Sequence, residues 1–92
     1  MVVIAFDPAK REKNLVKHGL DLADAGSVFA GAIGTRLDTR HRYDEDRYLT
    51  IGRLGGRLVV MVWTPRFASR RIISMRYAHA KEEALYIGRE DG

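Results

Sequence analysis

The sequence predicts an α+β fold in which two helices come first and a mostly antiparallel sheet follows. Three observations carry this: paired helix start and stop signals between Asp7 and Gly31, a series of apolar, β-branched runs after them, and one dominant strand signal, LVVMVW, inside residues 57–64. The two N-terminal helices are expected on one face of the sheet, with the other face left open.

Residues 2–6, with two adjacent valines and an isoleucine, read as a buried strand ended by Asp7 and Pro8. Asp7 is a good N-cap and Pro8 has the fixed φ of a first helical position, so a helix is expected to run to about His18. Gly19 supplies a left-handed stop, Lys17 and His18 favour the negative end of the helix dipole, and Leu20 can fold back onto Leu15 or Val16. A second helix opens at Asp21, carries Leu22, Ala25, Val28 and Phe29 at helical spacing, and ends at Gly31. Residues 32–35 turn the chain, 35–39 form a weak strand, and 40–46 a charged loop. Residues 47–52 are the third strand, and Gly52, Gly55 and Gly56 form a hairpin loop into residues 57–64, the expected central strand. After a turn at 65–69, alternation in residues 70–77 sets Arg70, Ile72, Ser74 and Arg76 on one face and Arg71, Ile73, Met75 and Tyr77 on the other. Residues 78–89 close the chain as a helix. The expected order is β-α-α-β-β-β-β-α.

Ninety-two residues make one domain, residues 1–92, which buries roughly 60 to 65% of its unfolded surface. At 46% hydrophobic and 30% charged the chain is globular, and no run approaches a membrane-spanning length. The N-terminus reads as a strand without the basic and small-residue features of a signal peptide, so a cytoplasmic location is expected. Absent cysteines exclude disulfides and thiolate metal sites, and three scattered histidines point to no metal or other cofactor.

The net charge is +4, but its distribution is more informative. From Arg47 to Lys81 there are seven arginines and a lysine with no aspartate or glutamate between them. Guanidinium groups match phosphate oxygens bidentately, so such a stretch on a sheet points to nucleic acid. The plainer alternative is that the arginines are solvated strand edges that discourage aggregation. Elsewhere Lys10, Asn14 and His18 share one helical stripe, for which spacing alone favours a solvent-facing surface and phosphate contact is the functional alternative. The loop around His41, Glu45 and Arg47 mixes groups able to take and give protons. Arg76 and His79 lie close enough in sequence to converge on one substrate, with Tyr86 either a third member or a packing residue. Cleaving RNA without a metal requires removing the 2′-hydroxyl proton, stabilising the phosphoryl oxygens and protonating the leaving 5′-oxygen, and arginines suit the second task.

At these residues the chain resembles the BrnT toxins, the ribonuclease components of type II toxin–antitoxin pairs with a RelE-like fold. The matching segments are FDPAKREKNLVKHGL at 6–20, AGSVFAG at 25–31, DEDRYLTIG at 44–52, GRLVVMVWTPR at 56–66, RRIISMRYA at 70–78 and KEEALY at 81–86. The resemblance implies a metal-independent endoribonuclease that inhibits translation. It also implies a BrnA-type ribbon-helix-helix antitoxin that binds operator DNA on the toxin's behalf, in an assembly that could be a heterotetramer. Carried onto this sequence, it sets Glu45, Arg47, Arg76 and His18 in the catalytic cleft, with Lys10 beside them. His41, Arg57, Arg70, His79 and Tyr86 complete the expected RNA contacts. The alternative is a non-catalytic module or regulator that grips nucleic acid with the same basic sheet.

Overall fold

The computed structural model describes residues 3–40 and 44–91, residues 87–91 by backbone alone. Strand β1 (Ile4–Phe6) leads into helix α1 (Pro8–His18), a 3-10 turn (Leu22–Asp24) and helix α2 (Ala25–Ala30). Strands β2 (Ala32–Leu37), β3 (Tyr48–Leu54), β4 (Arg57–Arg66) and β5 (Ser69–Tyr77) follow, and helix α3 (Ala80–Asp91) closes the chain. The sheet order is β1-β5-β4-β3-β2, so β4 is central as expected. The sheet is mixed: β1 runs parallel to β5, and the other three pairings are antiparallel.

Local chemistry accounts for the helix boundaries. The Ala9 amide donates to the Asp7 side chain at 2.8 Å, Pro8 occupies the first helical position, and Gly19, at φ 71°, stops α1 by donating to the Leu15 carbonyl. The single expected second helix is divided, since Asp21 caps the 3-10 turn through the Ala23 amide at 2.9 Å and α2 proper begins only at Ala25. Gly55 and Gly56, with φ of 59° and 81°, make the two-residue β3–β4 turn, for which positive φ at both positions is the favoured geometry. Gly52 is not in that loop. It lies within β3 opposite Val59, and a Cβ there would stand 2.4 Å from the Val28 carbonyl oxygen, so its lack of a side chain lets α2 settle onto the sheet. Strand β2 begins earlier than expected, at Ala32, through an irregular register between Ala32 and Gly34.

Two cores lie on opposite faces. On the helix face, Leu20, Leu22, Ala25 and Val28 pack against Val59, Met61, Trp63, Ile72 and Met75. Leu20 therefore joins this core instead of folding back onto Val16, which is 86% exposed. On the distal face, Leu49, Ile51, Leu58 and Val60 pack with Ala78 and with Tyr86 of α3. The distal face is thus partly covered by α3 and not wholly open.

Helix α1 is fixed by a polar contact. Asn14 is buried, and beyond the short β1 its Oδ1 accepts from the Met75 amide at 3.0 Å while its Nδ2 donates to the Leu20 carbonyl at 2.9 Å. The expected polar stripe of Lys10, Asn14 and His18 is therefore split, with Asn14 serving the fold and Lys10 exposed.

Candidate functional site

A β-bulge decides which arginines share a face. Ser74 pairs with Val62 but Ile72 pairs with Trp63, so Ile73 is an extra residue in β5 and the alternation shifts there. Arg70 and Ile72 consequently lie on the helix face with Met75 and Tyr77, while Arg71, Ser74 and Arg76 lie on the distal face. The expected grouping of Arg70 with Arg76 is overturned, because unbroken alternation across eight residues requires a regular ladder. Arg70 instead holds its guanidinium 4.5 Å from the Phe29 ring centroid and 4.7 Å from that of Trp63. Arg57 sits on the same face, 3.7 Å over the Tyr77 ring. Trp63 stacks on Tyr48 and donates from Nε1 to Thr50 Oγ1 at 2.8 Å, which identifies it as a core residue.

The distal face gathers a different set. Arg47 precedes Tyr48, the partner of Trp63, so alternation turns it to the distal side, in the same row as Thr64 and Arg71. Arg36, opposite Leu49, continues the basic surface on β2. Neither Arg36 nor Arg71 was among the expected contacts. Glu45 lies at the margin and is ion-paired with Arg66. Its carboxyl is held below the usual glutamate range by the Arg66 hydrogen bond first, with the charges of Arg47 and Arg71 adding to it. Glu45 is therefore ionised at neutral pH beside two distal arginines. Residue 41, and with it the expected His41 contact, lies outside the described residues.

Arg76, expected to converge with His79 on a substrate, is ion-paired with Glu82. Its Nη1 and Nη2 donate to the two oxygens of Glu82 at 2.7 and 2.9 Å, and the His79 amide donates to Glu82 Oε1 at 2.7 Å. Glu82 stands three residues after the N-cap position of α3, where a glutamate can satisfy the first amide of the helix. One carboxylate thus caps α3 and ties it to β5. His79 is 73% exposed, with its Nδ1 3.6 Å from the same carboxylate. Tyr86, Glu82 and Leu85 line a recess of about 340 Å³ between α3 and the sheet, with Arg36, Leu49, Ile51 and Val60 on the other wall.

The pair also sets a pH dependence. The Arg76 guanidinium, assisted by the His79 amide, lowers the Glu82 carboxyl from 4.5 to about 2. A depressed carboxylate stabilises the fold above its ordinary value and loses that contribution as the pH falls through the depressed one. The protection of α3 amides against exchange, relative to their intrinsic rates, should accordingly fall between pH 4.5 and about 2 in the native protein. Glu82→Gln should remove that pH step, and α3 protection that is flat across this range in the native protein would contradict the anchor.

Lys10, Lys13, Lys17 and His18 line a groove of about 310 Å³ between α1 and β5, closed by Ile73 and Ser74. Ser74 lies between Arg71 and Arg76 on the distal face, so the α1 groove and the arginine row meet there. Among the described residues, no three His, Cys, Asp or Glu side chains group closely enough to hold a metal ion, and no helix is long and apolar enough to cross a membrane.

A five-stranded sheet that presents arginines beside an ionised carboxylate, with a lysine-lined groove at its border, has the features of a protein that handles phosphate esters of nucleic acid. Residues 6–82 match the family described as the ribonuclease toxin BrnT of type II toxin–antitoxin systems, and the chain belongs to that family. Family membership indicates ribonuclease activity, an RNA substrate and an antitoxin partner. A search of curated proteins found no match to the chain.

Proposed function

We propose that the chain is a metal-independent endoribonuclease whose active surface is the distal face around Arg47, Arg71 and Arg76. The observation that carries this reading is the bulge at Ile73, which brings Arg71 onto the face already holding Arg47 and Arg76. Arg47 and Arg71 bind the scissile phosphate and stabilise its extra negative charge, and Arg76 contributes donors not used by Glu82. The RNA 2′-oxygen attacks the adjacent phosphorus, its proton passes to Glu45, the bond from phosphorus to the 5′-oxygen breaks, and His18 at the groove border returns a proton to that oxygen. The products are a 2′,3′-cyclic phosphate and a 5′-hydroxyl. Lys10, Lys13 and Lys17 extend the phosphate path along α1, and His79 and Tyr86 flank it at α3. Metal independence is supported by the side chains: Glu45, Asp38 and Glu82 are each held by an arginine, Arg66, Arg40 and Arg76 respectively.

In the cell this activity inhibits translation by cutting RNA in the cytoplasm. The fold is of the RelE-like kind. The partner is a BrnA-type ribbon-helix-helix antitoxin, which carries the toxin to operator DNA in a heterotetramer. Incubation of the purified protein with RNA in EDTA tests the chemistry. Fragments ending in 2′,3′-cyclic phosphate and beginning with 5′-hydroxyl are expected; uncut RNA at high protein excess, or 5′-phosphate ends that form only with a divalent ion, would refute it.

A further inference from the structure

Phe67 is the outlier of the surface. It sits in the tight turn between β4 and β5 with a relative exposure of 107%, whereas Trp63 is 8% exposed and Phe29 and Phe6 pack against the core. The turn is held beside the arginine row: Arg66, the residue before Phe67, is ion-paired with Glu45, and Glu45 lies in the field of Arg47 and Arg71. An exposed aromatic at the end of a guanidinium row has the two parts of a single-strand binding platform, a charged track for phosphates and a ring for a base.

Resting on the ribonuclease reading above, we propose that Phe67 stacks on an unpaired base of the RNA, next to the phosphate bound by Arg47 and Arg71, and so restricts the substrate to single-stranded RNA. A ring stacks on any base, so Phe67 selects strandedness and not sequence. The two-residue turn restricts the backbone at Phe67 and an aromatic ring has few side-chain torsions to order on binding, while the Arg66–Glu45 pair ties the end of β4 to Glu45. Phe67 is a positioning residue, since no bond is made or broken at its ring.

The test uses a short unstructured RNA with every 2′-hydroxyl methylated, which cannot be cut, and the same RNA annealed to its complement. Phe67→Ala should weaken binding of the single strand by roughly tenfold and leave duplex binding and the salt dependence unchanged, because no phosphate contact is removed. Phe67→Tyr should restore native affinity. In Phe67→Trp, the new indole fluorescence should be quenched by the single strand. A native protein that binds the single strand, paired with a Phe67→Ala variant of equal affinity, overturns the stacking inference and leaves the ribonuclease reading standing. A native protein that binds no RNA overturns both. A Phe67→Ala variant that binds RNA normally but loses its antitoxin assigns the ring to a protein contact and equally overturns the inference.

Discussion

Arg71→Ala should lower RNA cleavage by roughly 10²- to 10³-fold with the fold intact, while Arg70→Ala should leave cleavage within a fewfold of native and cost about 1–2 kcal/mol of stability. The two positions are adjacent in sequence, and only the bulge at Ile73 determines that Arg71 shares a face with Arg76. Arg71 adds positive charge near Glu45, and its loss removes a donor from the proposed phosphate-binding surface. Arg70 lies over Phe29 and Trp63, so its loss weakens the contact between α2 and the sheet without touching the distal face. Single-turnover cleavage together with thermal denaturation of both variants checks the pair. Normal cleavage by folded Arg71→Ala, with a large loss in Arg70→Ala, would put the active surface on the other side of the sheet.

The second large effect is on stability. Asn14→Leu should lower unfolding free energy by about 2–4 kcal/mol, because it strands the buried Met75 amide and the Leu20 carbonyl that Asn14 now satisfies. For a domain of this size that corresponds to a fall in Tm of roughly 10–20 °C. The apolar replacement is close in volume, so a lost hydrogen-bonding pair and not a cavity is what the experiment reads. A Tm within a few degrees of native would show that α1 is held by something else.

The readable parts of the sequence were those fixed by local chemistry. Asp7, Pro8 and Gly19 set the ends of α1 through contacts within a few residues, and the apolar density of β4 marked it as central. The bulge was hidden because Ile72 and Ile73 are both apolar and β-branched, with no glycine to mark the extra residue. Asn14 was hidden for a related reason: its partner amide is sixty-one positions away, and Lys10 and His18, its neighbours on the helical stripe, are polar. The acid-free stretch from Arg47 to Lys81 gave a true account of composition and an incomplete one of charge. Glu45 and Glu82 lie just outside its ends and fold back to pair with Arg66 and Arg76. Lys10 and His18 occur together in the α1 groove, and this groove joins the arginine row only through Ser74, a meeting produced by tertiary packing.

The most direct measurement is an NMR titration of the arginine side-chain Nε–Hε signals with the uncleavable single-stranded RNA. The signals of Arg47, Arg71 and Arg76 should move on binding while those of Arg57 and Arg70, on the helix face, stay in place. Movement of Arg57 and Arg70 with the distal set unmoved would contradict the proposed distal active surface.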